Sequence, residues 1–298
     1  MSEIIVSVII PVYNDTSRLF KCLSALNVQS GDVPFEVIVI DNGSSEPSAI
    51  EKCCSPFKFV RLATETEKGS YKARNKGLCI AQGNIIAFTD SDCIPDPSWI
   101  AEGVAALKNE SKNVIVAGDI KVFSASSVPN SIELYEQLFA FQQRENVRAG
   151  HCVTANLFLH RKIFEDIGVF NAETLSGGDV EFCKRASRMG KSFGFAEHAV
   201  VLHPARASWK EYRTKIRRIM GGAYKLRNQE DYMAEQFTFL GLLRLLIPPV
   251  NGVMYIARRS NSLTDFIRIA SVLMMVRYYG FWIKFLYKFK ILREFERK

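Results

Sequence analysis

The run Asn84-Ile85-Ile86-Ala87-Phe88-Thr89-Asp90-Ser91-Asp92, followed by Cys93-Ile94-Pro95-Asp96-Pro97, decides how the rest of the chain is read. Its short β-branched and aromatic stretch predicts a buried strand that delivers two carboxylates, Asp90 and Asp92, at its carboxyl end. Ligands of open α/β sheets bind outside that end, and paired carboxylates there suit a divalent cation holding phosphate oxygens. The same two residues are also in place to cap the turn and the helix that Pro97 begins. On this stretch alone both readings stand.

Upstream, the β-branched run Ile4–Ile10 stops at Pro11 and predicts a first strand, with Pro11-Val12-Tyr13-Asn14-Asp15 as its loop. Leu19, Cys22, Leu23 and Leu26 then follow helical spacing, and Phe35–Ile40 predicts a second strand ending at Asp41-Asn42-Gly43. Strand, helix and strand in this order predict a parallel pair. The pattern continues through a helix near Glu46–Cys54, a strand at Phe57–Leu62, a helix at Tyr71–Ala81 and the strand that carries Asp90. Three strand ends therefore converge. Asp41 either contacts a nucleotide base or ribose or caps the next helix. Lys68 and Arg74, at the start of the third helix, are either diphosphate-facing cations or a solvated face. No Gly-x-Gly-x-x-Gly follows the first strand, which weighs against a dinucleotide enzyme.

Downstream, a helix at Ser98–Leu107 and a strand at Val114–Ala117 close the first half. The spacing then predicts a helix over Ile132–Gln143, a strand over Cys152–Leu159 and a short helix over Arg161–Ile167. Gly177-Gly178-Asp179 opens another helix, and its carboxylate is either an N-cap or a general base. A last strand, Phe193–Leu202, leads to His203-Pro204, where the histidine is either structural or a ligand beside the acidic pair.

The 298 residues carry a net charge of +8, and the surplus sits late. From Arg206 onward there are 19 Lys+Arg against 7 Asp+Glu, whereas residues 1–205 carry 20 against 24. Such asymmetry suggests an anionic surface, lipid or nucleic acid, as partner. Residues 206–228 predict a basic helix. Phe237–Ala257 is apolar but broken by Arg244, Pro248-Pro249 and Asn251, a poor match to a spanning helix of ~20 residues. Val272, Met275, Tyr279, Trp282, Leu286 and Phe289 form a helical stripe, with Arg277, Lys284 and Lys288 on the other side. That reads either as a basic amphipathic helix lying on an anionic membrane or as a helix packed on the catalytic domain. Seven cysteines without a Cys-x-x-Cys pair suggest a reducing cytosol, and Glu3 stands where a signal peptide would be cationic.

Five segments together resemble a family 2 glycosyltransferase of the GT-A type: Val6–Asn14, Val37–Ser44, Ala73–Gly77, Asp90-Ser91-Asp92 and Gly177–Glu181. The resemblance covers roughly residues 5–210. It implies an α/β, Rossmann-like, mostly parallel sheet flanked by helices. Residues 1–118 would form the nucleotide-sugar half, 119–210 the acceptor and base half, and 211–298 a helical tail. It further implies that Pro11, Val12 and Tyr13 line the base pocket, that Asp41 contacts base or ribose, and that Lys68, Arg74 and Asp90 lie on the donor. Asp92, with Asp90 and His203, would hold Mg²⁺ or Mn²⁺. Asp179 would be the general base of an inverting transfer from a nucleotide-diphospho-sugar, UDP-linked by expectation. Gly177, Gly178 and Asn156 would face a glycan or lipid-linked acceptor. Many members carry Glu-Asp where this chain has Gly178-Asp179. The expected location is cytoplasmic, peripheral on the membrane, with no nucleic-acid partner.

Two rival readings use the same residues. A haloacid-dehalogenase-type phosphatase would use Asp90 as nucleophile and Asp92 as acid, but that motif usually opens the first strand of its chain. A nucleic-acid-binding protein would exploit the basic tail and leave the acidic cluster without a task.

Overall fold

The computed structural model describes residues 5–108, 113–174, 176–226, 238, 241–242 and 244–292. Ile4 of the first expected strand, the end of the basic helix at 227–228 and parts of the Phe237–Ala257 segment lie outside these. The elements run β1 (Val6–Val12), α1 (Thr16–Leu26), β2 (Phe35–Asp41), α2 (Pro47–Cys54), β3 (Val60–Thr64), α3 (Ser70–Ile80), β4 (Ile85–Thr89) and β5 (Ile94–Pro95). They continue with α4 (Trp99–Lys108), β6 (Val114–Phe123), α5 (Ser131–Phe139), α6 (Gln143–Arg148), β7 (Asn156–His160) and α7 (Lys162–Ile167). Last come α8 (Gly178–Arg188), β8 (Ser192–Pro204), α9 (Trp209–Leu226), α10 (Val250–Ala257) and α11 (Leu263–Lys288). Two compact units divide the chain: Met1–Lys121, Phe141–Glu173 and Gly178–His203 form one, and Val122–Ala140, Thr174–Gly177 and Pro204–Lys298 the other.

The strand order is β3-β2-β1-β4-β7-β6-β8-β5. β1 pairs in parallel with β2 and β4, and β2 with β3, while β7 runs antiparallel to β4 and β6. The sheet is therefore mixed and mostly parallel. Alternate side chains of β1 enter different cores. Val6, Val8, Ile10 and Val12 meet Leu19, Leu23 and Leu26 of α1 and Trp99 of α4. Ile9 joins Ile38, Ile40, Tyr71 and Phe182 on the other side. Burial on both faces explains why the parallel strands read as unbroken apolar runs, and each fully buried Ile or Leu contributes about 1.5–3 kcal/mol. Gly77 lets α3 lie close on β1, because a Cβ there would come within 2.5 Å of Ile9 Cγ2.

Several elements differ from expectation, among them the strand over Cys152–Leu159, which begins only at Asn156. The helix expected over Ile132–Gln143 is two helices, α5 and α6, with Phe141 between them in a left-handed conformation (φ 53°). The strand expected at Phe57–Leu62 begins only at Val60, because the Phe57 ring packs between those of Phe20 and Phe59. The two-residue β5 has no counterpart in the spacing.

In the second unit Tyr135, Tyr212, Ile216, Ile256, Ile269 and Val272 form the core. The C-terminal helix corrects the expected amphipathic pattern. Val272 is buried, but Trp282 is 57% and Phe289 54% exposed, while Lys284, expected on the polar side, is 6% exposed. α11 is apolar on most sides, so spacing alone does not select one face. The stripe runs along the border between the buried side, Ile269, Val272, Ile283 and Tyr287, and the exposed side. α11 is long and apolar enough to cross a membrane by length and composition.

Candidate functional site

The carboxyl ends of β1 and β2 are stitched together by short polar side chains. Val12 and Asp41 are register partners, and Asn42 N–H donates to the Val12 carbonyl at 2.8 Å. Asp41 is buried, and its Oδ1 accepts the Ser44 N–H at 3.0 Å. Asn14 takes a left-handed conformation and its Oδ1 accepts the Ser45 N–H at 2.7 Å, while Ser44 Oγ accepts the Asn14 N–H at 2.9 Å. Pro11 and Tyr13 are half-buried and Val12 is buried at this edge.

Asn42, to which the spacing assigns no task, holds the next loop. Its amide donates to the Glu65 and Glu67 carbonyls at 3.1 and 2.7 Å and accepts the Gly69 N–H at 2.8 Å. This fixes the segment that carries the exposed Lys68 and the amino end of α3. Arg74, one turn into α3, is 4% exposed and ion-paired with Asp90 at 2.5 Å. Its charge is thus engaged by a strand-end carboxylate, and its Nε has no hydrogen-bond partner among the described residues.

Asp92 meets a different neighbour. Its Oδ1 lies 3.6 Å from His203 Nε2, and its Oδ2 lies 3.5 Å from Arg18. β5 makes this meeting possible: Ile94 pairs with Leu202 and Pro95 with Val201, which draws the residues after Asp92 alongside the end of β8. His203 is buried beneath the Phe141 ring, 4.4 Å away by centroids. Ligand atoms of Asp92, Cys93 and His203 lie within 4.8 Å of one another. Burial, then Asp92 and Asp90, push the Cys93 thiol well up, so it stays protonated, 3.8 Å from the Ala155 carbonyl. A carboxylate and an imidazole remain as the donor set, which fits a divalent cation of the Mg²⁺ or Mn²⁺ kind.

Asp179 stands in the first turn of α8, and its Oδ1 accepts the Val180 N–H at 2.9 Å and the Tyr71 hydroxyl at 3.1 Å. Tyr71 belongs to α3, and the Arg74 guanidinium carbon lies 5.5 Å from its ring centroid. A chain of contacts thus runs from Asp90 through Arg74 and Tyr71 to Asp179. Nothing in the sequence marks Tyr71, which lies inside the cationic run without a motif of its own. Gly177 has a positive φ of 83°, and Gly178 is buried. Glu181 pairs with Arg185 at 2.6 Å, a structural contact within α8.

Asn156, expected at the acceptor, lies in the core instead. Its Oδ1 accepts the Trp99 indole N–H, and its amide donates to the Asp119 and Ala199 carbonyls, each at 2.8 Å. With these bonds made, its side chain ties α4 and β8 to β7 and has no group left to meet a substrate.

Comparison with known proteins identifies the scaffold. The sequence model described as glycosyl transferase family 2 matches residues 7–168, more than half of the chain.

This chain belongs to glycosyl transferase family 2.

Among related proteins, glycosyltransferase AglE of Haloferax volcanii is 35% identical over 206 residues, 67% of each protein. The pre-mycofactocin glycosyltransferase of Mycobacterium tuberculosis is 25% identical over 70% of this chain and 44% of its own length. The uncharacterized glycosyltransferase YfnE of Bacillus subtilis is 39% identical over 38% of this chain and 29% of its own. The chain therefore spans less than half the length of two of these relatives. The mannosyltransferase PcManGT from Pyrobaculum calidifontis, solved in complex with GDP-Man and Mn²⁺, shares the fold with a TM-score of 0.65 at 18% identity, over 97% of this chain and 88% of that one. The family 2 enzyme thus has the GT-A fold, and the phosphatase reading falls away.

Proposed function

We propose that this glycosyltransferase is an inverting, metal-dependent enzyme that moves a hexosyl group from a nucleotide-diphospho-sugar to a hydroxyl of a glycan or lipid-linked acceptor. The observation that carries the reading is the contact chain Asp90–Arg74–Tyr71–Asp179, which links the strand-end acid on the donor side to a carboxylate suited to be the base. Pro11, Val12, Tyr13 and Asp41 are assigned to the nucleotide, with Lys68 beside its phosphates. Arg74 pairs with Asp90 and holds it toward the donor. Asp92 and His203 are assigned to a divalent cation, which would supply charge neutralisation at the departing diphosphate when bound.

Asp179 takes the proton of the acceptor hydroxyl as its oxygen attacks the anomeric carbon, and the bond to the diphosphate breaks on the opposite side. One displacement with one base inverts the centre. The donor reading is tested by a panel that includes UDP-glucose and GDP-mannose, following binding and slow donor hydrolysis with Mn²⁺ and with EDTA. Loss of hydrolysis with EDTA and its return with Mn²⁺ are expected, and metal-independent turnover overturns the metal assignment. Asp179→Asn is expected to lower turnover by ~10²–10⁴-fold with donor binding little changed. Near-normal turnover removes Asp179 as base.

The acceptor reading is supported by α11. Ile267, Met275, Tyr278, Trp282 and Phe289 are exposed on one uncharged side, as suits a helix in a cytoplasmic membrane interface. Flotation with phosphatidylglycerol vesicles checks it, and recovery of the protein wholly in the lipid-free fraction refutes it.

A further inference from the structure

We propose that Tyr71 is the positioning residue for Asp179: its hydroxyl, donated to Oδ1, orients the carboxylate so that Oδ2 is the oxygen that receives the acceptor proton. This rests on the reading of Asp179 as base. Among the described residues, both hydrogen bonds made to the side chain fall on Oδ1, from Tyr71 and from Val180 N–H. Together they stop rotation of the carboxylate and direct its second oxygen.

The tyrosine is itself held in place. It is 5% exposed, and its ring lies 5.7 Å from that of Phe170. On its other side the ring abuts the first residue of α8: a Cβ on Gly178 would come within 2.8 Å of Tyr71 Cε2 and 2.9 Å of Cδ2. Ring carbons in a packed core cannot yield that distance, so only glycine at position 178 admits this tyrosine. Glycine before the base and tyrosine at the start of α3 therefore form one device. Burial, and then the Asp179 charge, push the phenol well above its ordinary range, so it remains a proton donor throughout the working pH.

Among the described residues, the carboxylate keeps only the Val180 N–H once the Tyr71 hydroxyl is gone, and it can then turn its oxygens away from the acceptor. Arg74 from α3 bears on Tyr71, and Asp179 bears on the Cys152 thiol ahead of β7. The Tyr71→Phe variant keeps the ring and leaves all of these in place.

Hydrolysis of UDP-glucose or GDP-mannose with Mn²⁺, whichever the donor panel selects, gives the readout. Tyr71→Phe is expected to lower kcat by about tenfold or more, with donor KM within about twofold. Gly178→Ala is expected to lower kcat in the same way and to add little in the Tyr71→Phe background. A Tyr71→Phe enzyme with normal kcat overturns the proposal, and a donor KM that rises in step with the fall in kcat does so too, because a purely structural tyrosine would disturb both. So does a Gly178→Ala enzyme with normal kcat. Asp179→Asn, run in parallel, separates the two levels: near-normal turnover there defeats the base assignment, whereas an inactive Asp179→Asn beside an unaltered Tyr71→Phe defeats only the role of the tyrosine.

Discussion

Asp90 and Asp92 stand two residues apart and meet opposite partners, an arginine and a histidine. The first is held by the buried Arg74; the second faces an imidazole and stands 3.5 Å from the largely exposed Arg18, which makes it the better ligand for a cation. His203→Ala is therefore expected to weaken Mn²⁺ binding in the presence of a nucleoside diphosphate by at least roughly tenfold, since even outer-shell losses cost about 10–100-fold. Calorimetric Mn²⁺ titration reads this, and an unchanged affinity would move the metal away from His203. The acidic residues were legible because they follow chain-local rules: carboxylates at a strand end, and one at a glycine-flanked helix start. Their partners were not. Arg74 meets Asp90 across 16 residues and Tyr71 meets Asp179 across 108, separations at which spacing carries no information.

Among the elements, the β-α-β alternation of the first half was legible because the central parallel strands β1, β2 and β4 are buried on both faces and each crossover helix keeps one apolar side. Loops were less so. Asn42 stands in a polar turn that spacing reads only as a turn, yet three hydrogen bonds make it the clasp of the 65–69 segment. Asn42→Ala leaves buried backbone groups without partners and is expected to cost about 1–3 kcal/mol of stability. Urea unfolding measures that cost, and a donor KM raised in parallel would tie the clasp to the nucleotide side; a stable variant with normal KM would contradict both. β5 escapes sequence reading for a different reason. Two residues, one of them proline, have no periodicity and become a strand only because the edge of β8 is there to pair with.

At the scale of the molecule the sheet unit carries the chemistry residues and the helical unit carries a buried charge cluster. Glu136 of α5, 1% exposed, accepts from Arg206 N–H at 2.7 Å and from Lys215 at 2.6 Å. Burial alone would raise its carboxyl, but Lys215 and Arg206 outweigh that and hold it below the ordinary value. Lys215, pushed down to about 8 by burial and then by Arg206, is still charged throughout the acid range, so the lowering of Glu136 stands. A depressed carboxyl contributes stability that is complete above the unfolded value near 4.5 and lost as pH falls through the folded one. Glu136→Gln is expected to destabilise by about 1–3 kcal/mol at neutral pH, by leaving two half-buried cations unmatched, and to flatten the acid-side loss. Thermal melts from pH 3 to 7, with both ends read against wild type, check it; a parallel acid-side slope in the variant would show that Glu136 does not control it. The tail shows the limit of reading by pattern: a helix apolar on most sides offers several stripes, and packing against α5 and α9 decided which was buried. By itself the sequence determined the order of strands and helices, the acidic pair at the end of β4 and the carboxylate that opens α8, since these depend on residues near one another in the chain. Only the tertiary structure decided that His203 meets Asp92, that Arg74 holds Asp90 and that Tyr71 orients Asp179, because each pairing is made by strands and helices brought together from distant parts of the chain.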